Sequence, residues 1–285
     1  PVVQPPGSRI YRPVWSPTGH ILYERRTGNP GVWAVAWDLA GRRPLGEPFL
    51  VFPHGMYPSV AADGTLVMLR GLGSGELQLV ETDRRGDVLR TIGEPRAHGL
   101  NPALSPDGRR LAAVHLATDA DEIWIHDLER GTANRLTFSG GTKQAPRWSP
   151  DGTRLSYIAG VSSGTMSAVV VRADGTARED TARTRAASSS FVPGSDEMVF
   201  DVLTPESDWD LFVGPPGGEL RPLVRDAGWQ YSGVVSPDGA YVAYMSRESG
   251  IDQVYLRRFP DGTGKWQVSI DGGQFLMFLN VPTPA

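Results

Sequence analysis

Six side chains recur along this chain at almost one spacing. Arg9, His54, His98, Thr142, Arg185 and Trp229 follow one another at steps of 45, 44, 44, 43 and 44 residues. Tyr11, Tyr57, Asn101, Lys143, Gln144, Gln230 and Tyr231 stand close to them. Held at one level of a repeating fold, this collection is polar, aromatic and net basic, whereas the whole chain carries a net charge of −4. Its chemistry suits a pocket for an anionic or carbohydrate-like group, or a docking mouth for a partner peptide; ordinary solvated loops would carry similar residues. His54 and His98 hold the same slot in successive repeats and could face one another. Two imidazoles do not complete a metal site, which needs a third ligand; Asp119, Asp121 and Glu122 could supply it. A divalent metal at His54 and His98 is therefore an expectation to test. The spacing of Asp119, Asp121 and Glu122 does not match an EF-hand loop.

Other chemistries find no support. The chain has no cysteine, which excludes thiol catalysis, disulfides and Cys-ligated zinc. The string from Gly160 to Gly164 has Gly-x-Ser-x-Gly spacing, but it falls between two strands of the repeat and not on the strand-to-helix turn of a nucleophile elbow, and there is no phosphate-binding or dinucleotide fingerprint. The acidic balance argues against nucleic acid, whose binders usually show a basic footprint. No apolar run approaches the ~20 residues of a membrane-spanning helix, and Pro1–Gly7 lacks the layout of a signal peptide. The expected partner is a protein or peptide, with no direct membrane insertion.

The elements that must position these residues are set by a tetrapeptide. Ser-Pro-Asp-Gly is intact at 105–108, 149–152 and 236–239, and degraded at 16–19, 61–64 and 192–195. Strand-like content at a period of 40–50 residues reads as propeller blades. Proline presets φ, aspartate can bond its own backbone, and glycine takes the positive φ that closes a hairpin. The third copy is clearest: second strand from Arg109 to Leu116, third from Glu122 to Leu128, fourth from Asn134 to Phe138. The altered turn at Val192-Pro193-Gly194-Ser195 should be looser or longer. His115 and His126 fall on strands as core residues, and His20 in a turn on the opposite face.

The recurring anchor, preceded by Trp15, Trp148 or Phe191, resembles the TolB-like propeller family, typified by the string from Arg147 to Leu155. The resemblance covers about 16 to 272 and implies an all-β, six-bladed β-propeller of four-stranded antiparallel blades. The stretch from Arg257 to Ser269 resembles propeller regions attached to bacterial kinases and related sensors. A single propeller over 1–285 is expected, with an extra C-terminal strand at about 274–280 that closes the ring, pairs near the N-terminus, or exchanges to make a dimer instead of a monomer.

Ligands of propellers usually use the face opposite the anchor turns. Two readings follow. The first is a non-catalytic recognition module binding a protein, peptide or envelope ligand at that mouth, through Arg9, Tyr11, His54, Tyr57, His98, Asn101, Lys143, Gln144, Arg185, Trp229 and Tyr231. The alternative is a metal-assisted lyase or hydrolase acting on an anionic sugar or lactone. The resemblance implies a periplasmic or other extracytoplasmic location, with the cytoplasm left open.

Overall fold

The intact anchors close on themselves. The serine hydroxyl donates to the aspartate, at 2.6 Å for Ser105 and Asp107, and 2.5 Å for both Ser149 with Asp151 and Ser236 with Asp238. The same carboxylates accept the amides of Arg109, Thr153 and Ala240. The serine oxygens accept those of Arg110, Arg154 and Tyr241. Gly108, at φ +72°, donates to the Ser105 carbonyl at 2.9 Å, a backbone conformation that suits glycine. The Val192–Ser195 turn is no longer than the others: Val192 N bonds Glu197 O as Ser105 N bonds Arg110 O. Its closing bond, Ser195 N to Val192 O, is stretched to 3.3 Å.

The computed structural model describes residues 10–26, 28–38, 43–71, 76–83, 86–99, 101–160, 166–176, 179–204, 209–269 and 272. Among them there is no helix; six antiparallel sheets follow one another along the chain. Each is built from one contiguous segment. The innermost strands are Ile10–Ser16, Gly55–Val60, Ala103–Leu104, Lys143–Trp148, Ala186–Phe191 and Gln230–Val235. Five blades have four strands, and blade 1 adds the two-residue strand Arg43–Pro44. The third blade runs Arg110–His115, Glu122–Asp127 and Thr132–Arg135 after its inner strand. Its outer strand starts two residues earlier than expected, because Gly131 N caps the turn on Asp127 O at 2.9 Å.

Both faces of a blade must be covered, and five apolar clusters do this, one per seam. Val32, Met68 and Val80 lie between blades 1 and 2, and Leu69, Leu79 and Leu111 between blades 2 and 3. Ile123, Leu155 and Tyr157 fill the next seam. Phe191, Met198 and Phe200 follow, then Leu211, Val242 and Tyr244. No such cluster among the described residues spans blades 6 and 1, although the faces turned away from blades 5 and 2 bury Met245, Ala243, Tyr23 and Val35. The expected closing strand at 274–280 lies outside the described residues, as does Arg9.

At the anchor end, arginines brace neighbouring blades. Arg110 lies over the Trp148 ring at 4.7 Å and donates to Gly152 O at 2.8 Å, while Trp148 Nε1 donates to Ala103 O at 2.8 Å. Arg154 does the same over Phe191, at 5.4 Å, and bonds Asp196 at 3.0 Å.

Candidate functional site at the channel mouth

The inner strands carry a repeated irregularity four residues before five of the six anchors. Arg12, Tyr57, Asn101, Ala145 and Ser232 all have φ between 50° and 63°. Such a conformation costs an L-residue roughly 1–2 kcal/mol, so its recurrence marks a feature the sheets impose. The ladder bulges between Tyr11 and Val14, Met56 and Ser59, Gln144 and Arg147, and Tyr231 and Val234. A bulge re-aims a side chain, and here it aims toward the axis. Arg12 of blade 1 lies over the Tyr57 ring of blade 2 at 4.0 Å, and its Nε donates to Asn101 Oδ1 of blade 3 at 3.1 Å. Contact across three blades is available only beside the channel.

A buried carboxylate organises this group. Glu24, on the second strand of blade 1, accepts Arg12 Nη1 at 3.5 Å, Arg26 Nε at 2.6 Å and the Tyr57 amide at 3.4 Å. Burial lowers the Arg12 pKa, opposed by Tyr57 and Glu24. Asp201 plays the same part in blade 5, accepting the Ser232 amide of blade 6 at 3.0 Å.

The slot seven residues before each anchor is less uniform. His54 and Arg185 are exposed with φ of 55° and 52°, Thr142 is half-buried, and Trp229 is exposed under Arg247 at 5.0 Å. His98 is buried and pairs with His115 across the ladder. Its ring centroid lies 5.1 Å from that of His115, which lies 5.2 Å from His126. Arg96 donates to His115 Nδ1 at 3.1 Å, so His115 Nε2 carries the proton toward His126 Nε2, also at 3.1 Å. Burial lowers His98 and His126 to about 4 and His115 to about 3, with Arg96 adding to the effect. No contact joins His54 to His98 among the described residues. No group of three or more His, Asp or Glu there is arranged to hold a metal ion.

The remaining candidates divide between the mouth and the frame. Tyr11 stacks under Arg26 at 4.4 Å, and Gln144 is exposed. Lys143 is fully buried: its Nζ bonds the Asp121 and Gly140 carbonyls at 3.1 and 2.7 Å and Glu122 Oε2 at 3.1 Å. Glu122 also binds Arg135 at 2.8 Å, so this group ties blade 3 to blade 4. Tyr231 donates to Asp252 at 2.6 Å; burial, then that bond, raises its pKa. Asp252 is shared with Arg247, also at 2.6 Å. Gln230 is buried on the Ala227 and Gly228 carbonyls. Arg12, Glu24, Arg26, Asp201 and Arg247 complete the candidate site; the signal for Arg12 is the register four residues before the anchor, three residues on from the slot that first draws attention.

No family model matches the chain. A protein TolB homolog of Chlorobium luteolum is 32% identical over 188 residues, covering 64% of this chain. An uncharacterised protein of Agrobacterium fabrum is 31% identical over 264 residues, covering 83% of this chain and 85% of that protein. The chain belongs to the TolB-like propeller family. The TolB-like chain spans 42% of the length of the Chlorobium homolog. The solved structure of a putative TolB from Agrobacterium tumefaciens matches with a TM-score of 0.53 at 18% identity, over 93% of this chain and 82% of that one. An oligogalacturonate lyase in complex with manganese matches with a TM-score of 0.67 at 18% identity, over 91% of this chain and 79% of that one. At such identities the two structures show the fold alone. None of these four proteins is named as a kinase-associated sensor.

Proposed function

We propose that this TolB-like chain is a recognition module that docks a protein or peptide on the mouth face, along the arc of blades 6, 1 and 2. The observation that carries the reading is a run of arginine–aromatic pairs there: Arg247 over Trp229, Arg26 over Tyr11 at 4.4 Å, and Arg25 over Trp33 at 4.3 Å. Trp, Tyr and Arg are the residues most enriched where interfaces concentrate binding energy. They are pre-positioned by Glu24 and Asp252, which lowers the ordering cost of binding. Exposed Arg26 and His54 favour an acidic partner segment on a chain that is otherwise acidic. The TolB likeness supports protein partners and a periplasmic location, the latter checked by cell fractionation.

The test is cross-linking in an envelope fraction followed by identification of the captured protein. Wild type and a His20→Ala control on the opposite face should capture the same partner; Trp229→Ala combined with Tyr11→Ala should lose it. Equal capture by all three would sink the reading. The competing metal-assisted chemistry is separated by metal analysis with His54→Ala and His98→Ala: stoichiometric metal, lost in both variants, would favour it.

A further inference from the structure

The anchor ends of two seams are closed by an aromatic ring under an arginine, Trp148 under Arg110 and Phe191 under Arg154. In the register of the anchors, the seam between blades 1 and 2 has Val60 where blade 4 has Trp148, and His20 where blade 3 has Arg110. His20 does not reach across. Its Nδ1 is held by Thr18 at 3.0 Å, and its ring meets Phe49 edge-on at 5.9 Å. What remains is a cavity of about 90 Å³ bounded by His20, Phe49, Val51, Val60, Gly64 and Leu66. Gly64 is the counterpart of Gly152, onto which Arg110 closes its own seam. The other valine in this slot, Val235, shares a filled cluster with Val192 and Leu223.

We propose that this cavity, on the face opposite the channel mouth, binds a planar aromatic ring of indole or phenyl type. The ring takes the place that Trp148 fills two seams further on. Leu22, Ala34, Val51, Val60 and Leu66 give it an aliphatic wall and Ser16, Thr18 and His20 a polar side; cavities with such an aliphatic wall accept aromatic guests. Phe49 and His20 at the lip offer edge contacts to a ring face. Phe49 is 44% exposed, so the entrance is open to solvent.

Indole is the probe, followed by methyl NMR. Titration of the intact chain should give saturable shifts at Val51, Val60 and Leu66. Val60→Trp with His20→Arg supplies the missing ring and brace from within; it should abolish the response and raise Tm. If that variant does not fold, Leu66→Phe intrudes on the same space and should abolish the response. Trp148→Val opens the equivalent space between blades 3 and 4 and should lower Tm and gain an indole response of its own. Absence of saturable shifts in the wild type, or shifts that persist in the filled variants, would overturn the proposal. Trp229→Ala should leave the response intact, so the outcome is independent of docking at the mouth.

Discussion

At the residue scale, pairing decides which polar side chains can meet a ligand. Lys143 and Glu122 consume one another inside the seam between blades 3 and 4, with Arg135 and two carbonyls completing the set. Breaking a buried pair on one side strands the other charge, at a cost of about 3–5 kcal/mol. Lys143→Met should therefore lower stability to denaturant by about 3 kcal/mol, with Arg135 keeping the loss near the lower end, and leave partner capture unchanged. The three buried histidines make a pH prediction. Their folded pKa values of about 4, 3 and 4 lie below the unfolded value of 6.5. Below 6.5 the unfolded chain takes up protons that the folded chain refuses, so this stability is fully present above 6.5 and lost as pH falls toward 4. The slope approaches about 1.4 kcal/mol per pH unit for each histidine that stays neutral. Urea midpoints measured from pH 7.5 to 4.5 should fall accordingly, and His115→Asn should flatten the fall.

At the element scale, the innermost strand does two jobs. Its anchor turns the chain, and its bulge four residues earlier aims a side chain at the axis. Ala145 holds the left-handed conformation at φ 51° with nothing in its side chain that reaches across the channel. Ala145→Gly should stabilise the protein by roughly 0.5–1 kcal/mol in urea unfolding, since glycine adopts that φ without penalty. Tyr57→Gly, at the same register, should destabilise instead, because the Tyr57 ring carries Arg12. The anchors were readable in the sequence because the chemistry of a turn is local: Ser105, Asp107 and Gly108 bond within a few residues of one another. The bulges were not, because Arg12, Tyr57, Asn101, Ala145 and Ser232 share a backbone geometry and no residue type.

At the scale of the molecule, stability is distributed over seams, and the seams differ. Five have an apolar cluster; the sixth, between blades 6 and 1, has none among the described residues. Regions with fewer shared contacts open at lower free energy. Native-state hydrogen exchange should release the Tyr241–Ser246 and His20–Arg25 amides before those of Arg110–His115 and Arg154–Ala159. Equal protection in all four strands would show that the sixth seam is closed as firmly as the rest. The docking arc proposed for blades 6, 1 and 2 straddles this seam.

The sequence alone determined the repeat, its strand-and-turn order and the family resemblance, because each rests on turn chemistry and on apolar spacing along one strand. It also brought forward Tyr11, Tyr57, Asn101 and Trp229, which the fold sets along the mouth. Only the tertiary structure decided which polar residues are spent inside. Lys143 is buried on Glu122, and the buried His98 sets its ring edge-on to that of His115, because each meets these groups on a neighbouring strand or blade. Arg12 reaching Asn101 across 89 residues is of the same kind. A register along the chain places residues at one height, but contacts across the ring depend on side-chain direction, and that is set by bulges and by what the adjacent blade leaves unfilled.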